Sequence, residues 1–238
     1  MFDKLDLVKE AWMNNHLILI DSQYNEQKHL AIPAQLMNRT SSEILRRLSY
    51  GSIYCGISFD VFRDLEIPVV ETMYAGLGTR YPLLYLLNRK NTPEKENVSI
   101  SFDIRDSSLI DGDEKLSRGL RFLGDIVENR EAFDLTKDQF QERFLSHLIS
   151  PGPIILSRSH HKLLLKKNGI AELAVAISKI SNYGSAIVYS RIVDDLAYLK
   201  QLMREIGQEK LVTISAKTII DLWRSIEKVN KSKFGYEL

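Results

Sequence analysis

The sequence predicts an α/β (α+β) protein with a mixed, partly parallel sheet covered by helices on both faces. From residue 153, strand-like runs alternate with amphipathic helical segments: "PIILS", helix 169–181, "GSAIVYS", helix 193–206, "KLVTIS" and helix 216–229. Helical connections of more than about ten residues suit parallel strands. Because no repeat, linker or low-complexity tract interrupts residues 1–238, we expect a single three-layer domain.

The N-terminal part begins with a helix that leads into a strand. Leu5, Val8 and Trp12 have helical spacing within a helix over residues 1–15, and "HLILID" then predicts a short buried strand that ends at Asp21. After "HLAIPA" we expect a helix over "TSSEILRRLSY", the strand "SIYCGISF" and a short helix in "FDVFRDLEIP" that Pro68 stops.

The middle of the chain predicts two strand-like runs and two helices. The runs lie in "YPLLYLLNRKNTPEKENVSISFDIRD", on either side of a polar turn. Residues 113–130 have a helical apolar stripe, and Thr136 with Gln139 predicts a capping box for a helix that reaches His147. We expect "SPGP" to end that helix, and residues 230–238 to form a C-terminal tail.

Composition limits the classes of function. Lys and Arg number 32 against 31 Asp and Glu, so no overall field attracts nucleic acid, a membrane or an acidic substrate. The single cysteine, Cys55, excludes a disulfide framework and suits packing in a reducing compartment. No window approaches the roughly 20 apolar residues of a membrane span. We therefore expect a soluble, cytoplasmic protein without a membrane partner.

A series of short motifs, in order between residues 17 and 221, resembles a known enzyme family. The motifs are "LILID", "AIPA", "YGSIYCGIS", "LEIPVVE", "GLGT", "SISFDIRD", "SPGPIILSR", "NGIAE", "GSAIVYSRIVDD" and "LVTISAKTIID". They resemble 3,4-dihydroxy-2-butanone-4-phosphate synthases, riboflavin-pathway enzymes that convert ribulose 5-phosphate to dihydroxybutanone phosphate and formate. The resemblance implies that fold and a homodimer with sites shared across its interface.

The acidic loop of this family, D-x-E-x-R-E-N-E-G-D, corresponds to "DSQYNEQKH" here. Alignment back from "IPA" puts Tyr24 at the family's Arg and His29 at its Asp. Asn25 and Gln27 then stand at its two Glu, and a shift of one residue would place Glu26 at one acidic position without restoring the set. Neutral amides neither bind Mg²⁺ strongly nor take a proton near neutral pH.

The family's other catalytic motifs are also altered. Its R-P-G-H becomes "SPGP", where Pro153 replaces the His. Its G-G-H-T-E becomes "NGIAE": Ile170 replaces a metal-binding His and Ala171 the Thr, whereas Glu172 is retained. If the chain is active, the resemblance implies Glu172 and Asp21 as catalytic residues.

The resemblance also implies positions for a phosphate group. Arg158 and Thr79 match the family, and "SLIDGDEK" corresponds to its phosphate segment. That segment begins at Ser108 and places Asp111 where the family has a Ser, so a carboxylate lies near the expected phosphate and repels it. Ligand binding is assigned to Arg158, Thr79, Ser108 and Asp111.

The densest positive stretch is "SRSHHKLLLKKNG". We interpret this stretch as a solvated surface loop, because charge runs commonly lie on open faces. The alternative is that Lys162, Lys166 and Lys167, together with Arg158, contact the phosphate backbone of RNA or a ribonucleoprotein. His160 and His161 are not assigned to a metal, because neighbouring residues on a strand point to opposite faces.

The residues together favour a catalytically degenerate synthase-like protein. We expect it to be a binding or regulatory module, a homodimer, that binds a macromolecule or a small ligand in the altered cleft. No cofactor is expected. The alternative is a divergent active synthase, in which case Mg²⁺ is needed.

Overall fold

A computed structural model describes residues 2–22, 27–48, 52–70, 72–73, 97–105, 112–132, 135–192, 196–205, 208 and 211–234. Within these ranges, seven strands form one mixed sheet in the order β4-β5-β3-β6-β2-β1-β7. The strands are β1 (Ile18–Asp21), β2 (Lys28–Pro33), β3 (Ile53–Ile57), β4 (Asn97–Ile104), β5 (Leu148–Arg158), β6 (Ala186–Arg191) and β7 (Val212–Ser215). β1 is parallel to β7 and β3 to β5, whereas the remaining neighbours are antiparallel. The predicted α/β class and partly parallel sheet are confirmed.

The helices fall close to the predicted segments. They are α1 (Phe2–Met13), α2 (Arg39–Leu48), α3 (Phe59–Asp64), α4 (Gly112–Ala132), α5 (Lys137–His147), α6 (Ile170–Ile180), α7 (Leu196–Glu205) and α8 (Ala216–Phe234). α6 is buried at nearly every position because it packs against β3 and β6 on one side and α8 on the other. None of the helices in the described ranges is long and apolar enough to cross a membrane.

Two local signals in the sequence have the predicted effect in the structure. Leu5, Val8 and Trp12 are buried on α1, as their spacing predicts. The predicted capping box at α5 is present: the Thr136 hydroxyl accepts the backbone N–H of Gln139, whose side-chain oxygen accepts the N–H of Thr136.

α5 ends at His147 as predicted, but "SPGP" does not end it, because the strand expected from residue 153 begins five residues earlier. β5 begins at Leu148, directly after α5, and includes both prolines. Its pairing with β4 is interrupted by register shifts between Val98 and Ser101 and between Phe102 and Asp103. Prolines are tolerated there because irregular pairing leaves positions at which no N–H is required.

The C-terminal end also differs from the prediction. α8 extends to Phe234 rather than ending at residue 229, so most of the predicted tail is helical. No proline or glycine occurs between Ala216 and Phe234, and the first helix-breaking residue is Gly235. The first of the two predicted strand-like runs in the middle lies outside the described residues.

Candidate functional site

The two segments that the sequence linked to chemistry face each other across a narrow cleft. One wall is the β1–β2 hairpin, where the N–H and hydroxyl of Ser22 both donate to the carbonyl of Gln27, at 3.1 and 2.8 Å. The other wall is the start of α6. The cleft is lined by Ser22, Gln27, His29, Lys167, Asn168, Gly169, Ile170 and Glu172. Its volume is about 20 Å³, room for about one water molecule.

Glu172 is buried at the base of this cleft, with 1% of its surface exposed. It lies in the first turn of α6, where Gly169 precedes the helix and a Cβ would come within 2.7 Å of Oε2. Oε1 accepts the backbone N–H of His160 at 2.9 Å, and Nζ of Lys167 is 3.9 Å from the same oxygen. Oε2 has no hydrogen-bond partner among the described residues. The carboxylate is thus engaged by one amide and one nearby cation.

His29 forms the opposite side of the cleft base. Burial, with the nearby Arg191, lowers the pKa of His29 to about 4, so its imidazole is neutral at pH 7. The His29 ring packs edge-on against the Tyr189 ring, with centroids 6.3 Å apart. The Tyr189 ring stacks on the Tyr54 ring, with centroids 5.4 Å apart. The Tyr189 hydroxyl donates to Ser157 Oγ at 3.0 Å. No local sequence pattern predicts this aromatic group, because His29, Tyr54 and Tyr189 come from three different strands.

The predicted catalytic pair is only partly brought together. Glu172 lines the cleft, whereas Asp21 ends β1 next to Ser22 and is not among the residues that line it. Cys55 is fully buried in β3, and burial raises the pKa of its thiol, so it is a packing residue rather than a nucleophile.

The predicted phosphate ligands do not assemble in the described part of this cleft. The Arg158 guanidinium lies over the rings of Phe59 and Phe62 on α3, at 5.3 and 5.8 Å, and it does not line the cleft. Thr79, Ser108 and Asp111 lie outside the described residues.

The predicted basic segment is divided among different surroundings. Lys162 and Lys166 are exposed, whereas Lys167 is half-buried in the cleft near Glu172. With Arg158 packed on aromatic rings and Lys167 beside Glu172, two of the four cations, Lys162 and Lys166, are exposed.

The assumption that His160 and His161 lie on a strand is wrong. β5 ends at Arg158, and the two imidazole rings lie in the turn that follows, with their centroids 4.2 Å apart. His160 Nδ1 accepts the N–H of Lys162 at 3.1 Å, and burial with nearby cations lowers the pKa of His160. Within the described ranges, no group of three or more His, Cys, Asp or Glu residues could hold a metal ion.

Comparison with known proteins gives one consistent family. Residues 6–222 match the family model described as 3,4-dihydroxy-2-butanone 4-phosphate synthase. A protein of the same description from Methanothermobacter thermautotrophicus is 21% identical over 188 residues, which cover 78% of this chain and 79% of that protein.

Solved structures agree with this match at the level of the fold. A Candida albicans 3,4-dihydroxy-2-butanone 4-phosphate synthase has a TM-score of 0.62 and 19% identity, covering 91% of this chain and 95% of its own. A synthase described in complex with two magnesium ions has a TM-score of 0.61 and 15% identity, covering 97% of each chain. Identities this low establish a shared fold and do not transfer an activity.

Proposed function

This chain belongs to the 3,4-dihydroxy-2-butanone 4-phosphate synthase family, and we propose that it is a catalytically degenerate member that acts through binding. The observation that supports this most strongly is the cleft between Ser22 and Glu172. Its two walls come together, but of the eight described lining residues four are amide, hydroxyl or aliphatic and one carries a carboxylate. The space between them is about 20 Å³, far smaller than the roughly 300 Å³ or more of ordinary ligand pockets.

The described lining residues do not fit Mg²⁺. This ion prefers carboxylate and phosphate oxygens and retains several waters. Among these residues Glu172 supplies the sole carboxylate, and the Lys167 ammonium 3.9 Å away repels a cation. Ile170, at the position that the resemblance assigns to a metal-binding His, has no ligand atom. We therefore derive no reaction step through magnesium.

Proton transfer is weakened for a related reason. An efficient general acid or base has a pKa near the working pH, whereas burial lowers the pKa of His29 to about 4. The Glu172 carboxylate already accepts a backbone N–H. Loss of one proton-transfer group costs about 10²–10⁴-fold in rate. A cleft whose described residues do not fit Mg²⁺ adds to that deficit.

Because the cleft at Glu172 has room for about one water molecule, we propose that a small ligand binds at a larger site on the chain, and we favour this role over binding of RNA. A protein that reads a phosphate backbone presents its cations along one surface. Lys162 and Lys166 are exposed here, but Lys167 faces Glu172 and Arg158 packs on Phe59 and Phe62. We further propose that the protein is a homodimer, as the resemblance implies.

An assay of the family reaction tests the proposal. The full chain is incubated with ribulose 5-phosphate and Mg²⁺, and released formate is quantified beside an active synthase of the family. We expect formate release at least about 10⁴-fold below that control. Calorimetry with MgCl₂ in the presence of the sugar phosphate should show no stoichiometric uptake.

Two variants at one position make the assay decisive. Glu172→Gln retains an oxygen for the His160 N–H, whereas Glu172→Ala does not. Formate release by the natural chain that disappears in Glu172→Gln, with folding intact, would establish the alternative of a divergent synthase. Binding of single-stranded RNA that is lost in a Lys162→Gln/Lys166→Gln variant would instead favour the macromolecular role.

A further inference from the structure

The turn that carries His160 and His161 lines a second pocket, separate from the cleft at Glu172. It has a volume of about 360 Å³, within the usual range of small-molecule sites. Its walls come from the start of α3, the turn after β5, the end of α6 and the middle of α8. The lining residues used below are Phe59, Asp60, Lys162, Lys179, Ile180 and Trp223. We call this site the second pocket.

Apolar side chains form most of the inner wall. Ile180 and Trp223 are 8% and 7% exposed, so the protein core holds them in place. Phe59 is half-buried and lies 5.5 Å from the His161 ring, and Ile226 closes the α8 side. A preformed apolar wall of this kind suits the hydrocarbon or aromatic body of a ligand.

The charges at the rim favour an anion. Lys162 and Lys179 both line the second pocket, and neither has a carboxylate within ion-pair distance among the residues that the structure describes. The one acidic side chain of the lining, Asp60, lies 3.4 Å from the Arg63 guanidinium, which offsets its charge. The rim therefore has an excess of positive charge.

Three lining residues also carry buried polar atoms that lack a hydrogen-bond partner in the described part of the chain. These atoms are the hydroxyls of Ser58 and Ser159 and the indole Nε1–H of Trp223. An indole N–H donates only, and a serine hydroxyl can also donate. These atoms are covered by protein, so a ligand in the second pocket does not reach them, and the preference for an anion rests on Lys162 and Lys179.

The end of α6 does not reverse this preference. Carbonyls at a helix C-terminus carry partial negative charge and disfavour anions. In α6, however, the carbonyls of Ile177, Ser178 and Lys179 already accept backbone N–H groups from residues 181–183. Lys179 in the last turn adds a compensating positive charge.

We propose that the second pocket binds a small organic carboxylate with an apolar body, placing the body against Phe59, Ile180 and Trp223 and the carboxylate near Lys162 and Lys179. This site lies outside the cleft at Glu172. The proposal does not require the loss of synthase activity, and it can fail while the proposed function stands.

The two tryptophans provide an internal reporter. Trp223 lines the second pocket, whereas Trp12 is fully buried against Tyr183, with ring centroids 5.4 Å apart. The full chain, labelled with ¹⁵N, is titrated with 1-naphthoate while the two indole N–H signals are followed. Trp223→Phe assigns the signals. We expect a saturable shift of the Trp223 signal and a stationary Trp12 signal.

Matched ligands and variants test the charge and the wall. The neutral analogue 1-naphthamide should bind more weakly than 1-naphthoate. Lys162→Gln and Lys179→Gln should each weaken naphthoate binding about threefold, as expected for one partly solvated ion pair. Lys200→Gln, an exposed lysine on α7, should leave binding unchanged. Ile226→Trp, which fills the pocket from a half-buried position, should abolish the shift.

Specific results would overturn the proposal. These are equal affinity for naphthoate and naphthamide, no saturable change of the Trp223 signal, or equal movement of both indole signals. Equal effects of Lys162→Gln, Lys179→Gln and Lys200→Gln would also overturn it. Because no sugar phosphate is present, none of these results bears on the synthase reaction.

Discussion

Replacing Gly124 by alanine tests how closely α4 must approach the chain that leaves β2. Gly124 lies in the interior of α4, where alanine is normally favoured over glycine by about 1 kcal/mol. Here, however, an added Cβ would overlap the backbone N of Gln35 and would lie 2.8 Å from the carbonyl carbon of Ala34. Both neighbours are main-chain atoms of the 3₁₀ turn Ala34–Leu36, so no side-chain rotation relieves the contact.

The expected magnitude follows from these opposing effects. Overpacking of a well-packed contact costs about 1–3 kcal/mol and more where backbone must move, which exceeds the gain in helix propensity. We expect Gly124→Ala to lower the free energy of unfolding by about 2 kcal/mol, equivalent to about 4–8 °C in melting temperature for a chain of this size. Because the turn directly follows β2, the shift should also disturb the wall that carries His29.

Gly119 in the same helix provides the control. A Cβ there would make an ordinary contact of 3.6 Å with Ile104 Cβ, so Gly119→Ala should raise the free energy of unfolding by about 0.5–1 kcal/mol. Both variants are compared with the natural chain by urea and thermal unfolding monitored by circular dichroism. Stability of Gly124→Ala at or above that of Gly119→Ala would refute the close-approach argument.

Two further predictions concern the base of the cleft. The pKa of His29 is lowered from 6.5 to about 4 by burial and Arg191, so the unfolded chain binds more protons between these values. The free energy of unfolding should therefore fall by about 2 kcal/mol from pH 7 to pH 5, as measured by urea titration. The His29→Gln variant should lack this part of the fall. A fall of equal size in the variant and the natural chain would show that His29 is not its source. Tyr189→Phe removes the hydroxyl that donates to buried Ser157 and should cost about 1–3 kcal/mol. Adding Ser157→Ala should cost less than the sum of the two single changes, and strict additivity would show that the hydrogen bond contributes nothing.

Strong local signals made most of the fold predictable. Apolar spacing at Leu5, Val8 and Trp12, and the capping pair Thr136 and Gln139, fixed elements that the structure contains. The prediction was wrong where pairing between distant strands outweighed the local conformational preference of the residues. Two prolines of "SPGP" indicate a break in isolation, yet β4 pairs irregularly along that stretch and accommodates them within β5.

The candidate site was predictable only where motifs preserved their order. The resemblance placed the "DSQYNEQKH" segment near Glu172, and the structure brings Gln27 and His29 to the same cleft. The second pocket gave no such signal, because Phe59, Lys162 and Trp223 come from segments far apart in sequence. The arrangement of His160 and His161 depended on where β5 ends, a boundary that sequence periodicity locates poorly.

The bond between Glu172 and the His160 amide offers a structural reason for the one carboxylate retained from the family motif. That amide belongs to the turn whose next residues line the second pocket, so the Glu172 carboxylate helps to hold one wall of it. Removing the carboxylate would leave a backbone N–H without its acceptor, which costs about 1–3 kcal/mol when the group is buried. A residue with such a structural role does not by itself argue for catalysis. The Glu172→Gln variant separates the two roles, because the amide oxygen can still accept the N–H but an amide cannot serve as a general acid or base.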